Sequence, residues 1–158
     1  MKNFFKNHGD ARIRRAYEIA EAAHRGQVDK AGVEYINHPL TVAANVGENI
    51  SAIIVALLHD VAEDTALTTA ELKEKIPLTD EEFQAIELLT HDEKIPYLDY
   101  VAQIKSNELA RTVKAADLKH NSDLSRIKNP APKDFARVDK YKAALRILNG
   151  VNSKVPLQ

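Results

Sequence analysis

The run His59-Asp60-Val61-Ala62-Glu63-Asp64-Thr65 sets four ionisable side chains at the end of the most apolar stretch of the chain. Burying unpaired charge there costs several kcal/mol, so something must compensate. On a helix, adjacent residues project about 100° apart. His59 and Asp60 therefore both reach one ion only if it lies close against the helix flank. Glu63 stands four residues after His59 and Asp64 four after Asp60, the spacing that brings side chains to one side a turn later. Two ligands followed by two carboxylates suit a metal ion with a proton-handling pair beside it. Two further segments offer ligands. His38 opens a helix beside Pro39, and Asp117 lies on the otherwise apolar face of Val113-Lys114-Ala115-Ala116-Asp117-Leu118, with Asn121 four residues on. Two imidazoles and two carboxylates make a mixed nitrogen and oxygen set, compatible with manganese, iron or zinc and too nitrogen-rich for calcium. On a metal preferring six ligands, four leave room for water and a phosphate oxygen, as hydrolysis requires. Taken singly, each has a plainer reading: a solvated His-Asp pair, a His38 bonded to backbone, an Asp117 paired with Lys114 or His120. Their combination on an apolar helix is what argues for a metal.

The elements that must position these residues read as helices almost throughout. After Asp10, the apolar residues Ile13, Tyr17, Ile19, Ala20 and Ala23 recur at helical spacing, and Gly26 is a C-terminal stop. Residues 27–37 break the rhythm and read as a loop, after which His38-Pro39 begins a helix with Pro at its tolerated first position. Asn49 to Ala62 is apolar nearly all round and is expected as one central buried helix. Thr68 to Glu71 and Thr79 to Glu82 are capping boxes that start two more helices, parted by Pro77. Tyr97 to Ile104 and Glu108 to His120 continue the pattern. Residues 128–134 read as a loop, and a last helix is expected from about Phe135 to Leu148, ended by Gly150. The fold class expected is all-α: a single-domain helical bundle over residues 1–158, with a buried central helix.

Composition narrows the function classes. The chain has 158 residues, 44% of them hydrophobic and 28% charged, with five Gly and six Pro, a globular profile for about one domain. The absence of Cys excludes disulfides, thiolate metal sites and Cys nucleophiles. A formal charge of −1 argues against a dedicated nucleic-acid or anionic-membrane binder. The N-terminus lacks an apolar signal region, and the longest apolar run, Ala52 to Leu58, is too short to span a bilayer. A cytoplasmic protein is expected, with no nucleic-acid or membrane partner and with homo-oligomerisation left open.

Residues 17–127 resemble the HD-domain hydrolases of the RelA/SpoT type, which degrade the alarmone nucleotide (p)ppGpp. The resemblance lies in Ala23-His24-Arg25-Gly26-Gln27, Tyr35-Ile36-Asn37-His38-Pro39, Ala56-Leu57-Leu58-His59-Asp60-Val61-Ala62-Glu63-Asp64-Thr65 and Val113-Lys114-Ala115-Ala116-Asp117. The chain looks like a small stand-alone alarmone hydrolase, similar in size to the metazoan SpoT homologue and without a synthetase domain. The resemblance implies that His38, His59, Asp60 and Asp117 ligate a metal, usually Mn2+ in this family, although another divalent transition metal is compatible. It assigns Glu63 and Asp64 to activating or positioning the attacking water, and Asn121 to positioning the nucleotide. Arg137 and Tyr141 look like the Arg and Tyr, four apart, that contact phosphates and sugar in metazoan relatives. Lys30, Lys119, Arg126 and Arg137 are the candidates for neutralising the diphosphate. The activity so implied is manganese-dependent removal of the 3′-pyrophosphate, leaving GDP or GTP, as part of the stringent response.

There are departures. Many of these hydrolases carry Gly-Gln-x-Arg-Lys, whose Arg stacks on guanine, whereas this chain reads Gly26-Gln27-Val28-Asp29-Lys30. An acid offers no cationic plane, and Asp29 is expected instead to accept hydrogen bonds from base N–H groups. That keeps open a phosphohydrolase of another nucleotide, such as an adenine alarmone or NADPH. A non-catalytic nucleotide sensor is a further alternative, against which the pair Glu63 and Asp64 speaks. His24 is expected to pack or support a loop, and His91, beside Asp92, to be a solvated helix end.

Overall fold

The computed structural model describes residues 1–150; residues 151–158, the last part of the expected single domain, lie outside the described residues. The described chain is helical, with one isolated antiparallel bridge, Val28 to Glu34, and no strand. The elements are α1 (Lys2–Lys6), α2 (Ala11–Ala23), α3 (Asn37–Ala44), α4 (Ile50–Leu58), α5 (Val61–Asp64), α6 (Thr69–Lys75), α7 (Asp80–Leu89), α8 (Tyr97–Ile104), α9 (Glu108–Asn121) and α10 (Pro132–Leu148). A single 3-10 turn, Leu124–Arg126, precedes α10.

Helix α4 is the axis of the fold. Every residue from Ala52 to Leu58 is buried, as an element without a polar face must be. It packs against α2, α3, α7 and α9, while α10 lies on α8 and α9. Its start is set by Asn49, whose side chain accepts from Ala52 N. Its end differs from expectation. The helix stops at Leu58, and His59 and Asp60 form a turn before the short α5. Apolar periodicity runs through this break, so nothing in the hydrophobic pattern marks it. The turn keeps near-helical backbone, with Asp64 N bonded to Asp60 O at 2.9 Å.

Local signals place the other boundaries. Asp10 caps α2, accepting from Arg12 N and Ile13 N, and Gly26 follows its end with φ 83°, a backbone that suits Gly. Both expected capping boxes form, Thr68 with Glu71 and Thr79 with Glu82. Two starts shift: Pro39 is the third residue of α3 rather than its first, and α10 begins at Pro132 rather than Phe135. Pro132 takes the first helical position, where its missing N–H goes unneeded. At the N-terminus Phe5 is buried, but Phe4 is 63% exposed.

Candidate metal centre

Three elements deliver the four expected ligands to one place. His38 comes from the first turn of α3, His59 and Asp60 from the turn between α4 and α5, and Asp117 from α9. All four are buried, and one ligand atom from each lies within 4.8 Å of the other three. His38 Nε2 is 2.8 Å from Asp117 Oδ1 and 3.5 Å from Asp60 Oδ2. His59 Nε2 is 3.1 Å from Asp60 Oδ2 and 3.6 Å from Asp117 Oδ1. It makes no hydrogen bond although it is fully buried. The opposite ring nitrogen explains its aim: His59 Nδ1 is held 2.5 Å from Ala56 O. A backbone carbonyl on one imidazole nitrogen leaves the other free as a ligand, the usual arrangement at metal-binding histidines. An unpartnered imidazole nitrogen facing two carboxylates fits a divalent cation by geometry and by donor type.

The electrostatics carry the same strain. Burial opposes charge on His59, yet Asp60 and Asp117 outweigh it and hold the imidazole well above its usual pKa. Burial works against the Asp60 carboxylate too, but His59 beside it brings it down to about 2. Asp117 is likewise held well below the carboxylate range, against burial, chiefly by Lys114.

Around this cluster stand groups to which the motif reading gave no role at the metal. The Tyr35 hydroxyl lies 2.7 Å from Asp60 Oδ2 and 3.0 Å from Asp64 Oδ2, and donates between them. His120 Nδ1 meets His38 Nδ1 at 2.7 Å, with the two rings stacked 4.9 Å apart. Lys114 Nζ donates to Asp117 Oδ2 at 2.8 Å. The plainer reading of Asp117, a partner for Lys114, is thus true of one oxygen while the other faces the cluster. Sequence spacing offered a signal for two of these, since Lys114 and His120 flank Asp117 at three residues on either side, one face of α9. Tyr35 reaches across 25 positions, which no local pattern encodes.

Glu63 and Asp64 sit on α5 at the rim, both solvent-exposed. Burial of its carboxyl by surrounding protein, then the Asp60 charge, pushes Glu63 up to about 7. Asp64 is raised for the same two reasons, with Tyr35 opposing. Behind them, His24 fills its expected supporting place. It is buried and pairs with Gln27 Oε1 at 2.9 Å, and Gln27 Nε2 donates to Asp64 O at 2.8 Å.

A cavity of about 360 Å³ opens on the cluster, with His38 and Tyr35 at its floor and Lys30, Asn121, Arg126, Arg137 and Tyr141 in its walls. Five expected substrate contacts therefore share one space. Asn121 Nδ2 also donates to Asp117 Oδ1 at 2.9 Å. Lys119 is exposed and lines neither this cavity nor its neighbour, which corrects its expected role at the diphosphate. Asp29 is a second correction. Its Oδ1 accepts from Ala31 N and Val33 N, and its Oδ2 from Arg126 at 2.5 Å. A carboxylate so occupied organises its loop and holds a guanidinium in the cavity wall. His91 is a third: it is half-buried, stacked 4.4 Å from Tyr100 and 2.7 Å from Ile95 O.

Fold and site together define an all-α helical domain with a candidate metal centre, and the resemblance to RelA/SpoT-type proteins is borne out by known relatives. The chain is 50% identical over 66 residues to guanosine-3′,5′-bis(diphosphate) 3′-pyrophosphohydrolase of Aquifex aeolicus, covering 40% of this chain and 10% of that one. It is 41% identical over 66 residues to the bifunctional (p)ppGpp synthase/hydrolase SpoT of Escherichia coli K12, covering 40% of this chain and 9% of that one. The chain thus spans about a tenth of the length of these curated relatives. Among solved structures, one described as "A metazoan ortholog of SpoT hydrolyzes ppGpp and plays a role in starvation responses" superposes with a TM-score of 0.75 at 19% identity. The match covers 93% of this chain and 90% of that one and establishes a shared fold. No family model matches the chain.

Proposed function

We propose that this protein is a manganese-dependent hydrolase that removes the 3′-pyrophosphate of (p)ppGpp, acting as a single-domain cytoplasmic enzyme. The observation that carries the reading is the convergence of His38, His59, Asp60 and Asp117 ligand atoms within 4.8 Å, directly beneath a cavity with Lys30 and Arg137 in its wall. The named activities of the Aquifex and Escherichia relatives support the choice of substrate. Among the described residues, no helix is long and apolar enough to cross a membrane.

The four ligands would hold Mn2+, which when bound polarises a phosphate and makes water more acidic. The chain's own groups do the rest. Glu63 takes the proton of the attacking water, since a carboxyl raised to about 7 is matched to proton transfer near neutrality. Tyr35 and Asp64, hydrogen-bonded to each other, orient that water. It adds to the phosphorus bonded to O3′, the P–O3′ bond breaks, pyrophosphate leaves intact, and O3′ is protonated to give GDP or GTP. Lys30 and Arg137 neutralise phosphate, Tyr141 and Asn121 line the sugar, and Arg126, held by Asp29 in the same cavity, meets the nucleotide. The case for another base rests on Asp29 in the place of a stacking Arg; both of its oxygens already accept bonds within the protein, which weakens that case.

The test is release of pyrophosphate from ppGpp and pppGpp in Mn2+, comparing wild type with Asp60→Ala. Loss of a metal ligand should abolish turnover at every Mn2+ concentration. If the wild-type protein leaves both nucleotides intact, the reading is wrong.

A further inference from the structure

Lys114 is a cation placed where the fold gains nothing obvious from one. It lies on α9 one turn before Asp117 and is buried, 9% exposed. Its Nζ sits 5.3 Å from the Tyr100 ring centre and 5.8 Å from that of Tyr97, both on α8. The Tyr100 hydroxyl is committed to Leu89 O, so the two rings offer the ammonium π faces. The polar atom it bonds is Asp117 Oδ2, at 2.8 Å. Asp117 Oδ1, in contrast, faces His38 Nε2 and His59 Nε2 and is steadied by Asn121. The carboxylate is therefore divided: one oxygen is given to the cluster and the other is withheld from it.

Resting on the reading of this cluster as a metal centre, we propose that Lys114 is a positioning residue whose ammonium holds Oδ2 of Asp117 out of the site, weakening cation binding in exchange for an open centre. Two carboxylates and two neutral imidazoles carry two negative charges. A divalent cation balances them, and Lys114 adds a positive charge beside the ligands that offsets a rim carboxylate, Glu63 or Asp64, as an anionic phosphate approaches. Without Lys114, Oδ2 is free to turn inward, take a place that water or phosphate needs, and bind the cation more tightly.

This makes a prediction opposite in sign to that of a supporting lysine. Removing an outer-shell partner that merely orients a ligand weakens metal binding by about 10–100-fold. Here Lys114→Met should bind Mn2+ about tenfold more tightly, because a repelling charge is gone, while kcat for ppGpp falls about tenfold or more. Lys114→Arg keeps the charge and should retain wild-type Mn2+ affinity. The measurement is calorimetric titration of the metal-free protein with Mn2+, alongside kcat and KM. Lys114→Gln serves as a second neutral variant should the Met variant fold poorly, and it should behave as Met does. Mn2+ affinity unchanged or reduced in both neutral variants overturns the proposal, as does tightened binding in the Arg variant. Because the titration uses metal alone, it decides the role of Lys114 even if no nucleotide is hydrolysed, an outcome that would sink the proposed substrate instead.

Discussion

At the scale of single residues, position within a few ångströms of Asp60 decides what a carboxyl can do. Asp60 itself stays ionised at about 2 because His59 touches it, whereas Glu63, one turn on, is lifted to about 7. Two acids on adjoining turns thus differ as the proposed roles require, one suited to hold charge and one to move a proton, the divergence that marks acid–base sites. A base must be ionised to act, so kcat/KM should rise with pH and level off above about 7, losing tenfold per unit below the midpoint. Positive charge bound in the cluster favours the carboxylate, so about 7 is an upper bound for that midpoint. Glu63→Gln should lower kcat by about 10²–10⁴ and flatten the acid limb. The check is a pH–rate profile of both proteins in saturating Mn2+. An acid limb that survives in the Gln variant would assign the proton to another group.

At the scale of elements, the site depends on α2, α4 and α7 keeping their relative places, and one buried carboxylate ties them. Glu82, fully buried at 0% exposure, accepts from Arg12 of α2 at 2.8 and 3.0 Å, from Ser51 of α4 at 2.8 Å, and from Thr79 N at its own helix start at 3.0 Å. Arg12→Ala leaves that charge buried with neutral donors and should cost ~3 kcal/mol. Arg15→Ala breaks the exposed pair with Glu18 and should cost under ~1 kcal/mol. Urea unfolding of the two variants compares them directly, and equal midpoints would mean the Glu82 link contributes nothing. The sequence revealed half of this arrangement, because Thr79 and Glu82 form a recognisable box, but the reach to Arg12 spans 70 positions and has no local signature. The same contrast runs through the whole fold. Asn, Thr, Pro and Gly punctuate helices by chemistry that acts within four residues, so α2, α6, α7, α8 and α9 were legible. The stop after Leu58 was not, since tertiary demands on His59 and Asp60 interrupt an unbroken apolar run. Within the site, the convergence of His38, His59, Asp60 and Asp117 was readable from motifs, whereas the occupancy of Asp29 by Arg126, 97 positions away, is a property of the folded chain alone.

At the scale of the whole molecule, a net charge of −1 conceals an uneven distribution. Beside the cavity over the metal cluster, and sharing Lys30, Ile127 and Arg137 with it, lies an open groove of about 870 Å³ that also carries Lys133 and Lys140. The acid in its lining, Asp134, is bonded to Ala131 N and Arg137 and offsets one of the groove's cations, leaving Lys30, Lys133 and Lys140. Crowding of like charge is visible on Lys30 itself, whose pKa is lowered first by burial and next by Arg137. A nearly neutral protein therefore carries a locally positive groove beside the cavity, and such fields act over about 8 Å at physiological ionic strength. Association of a nucleotide bearing phosphates at two positions should then depend steeply on salt, with kcat/KM for pppGpp falling more than that for ppGpp between 50 mM and 500 mM NaCl. Lys133→Glu with Lys140→Glu should raise KM and blunt the salt response while leaving kcat at saturation near that of the unaltered enzyme, since neither side chain reaches the metal cluster. Steady-state kinetics across that salt range checks both statements. Equal salt slopes in the two proteins would locate the guiding charge at Lys30 and Arg137, inside the cavity, rather than along the groove.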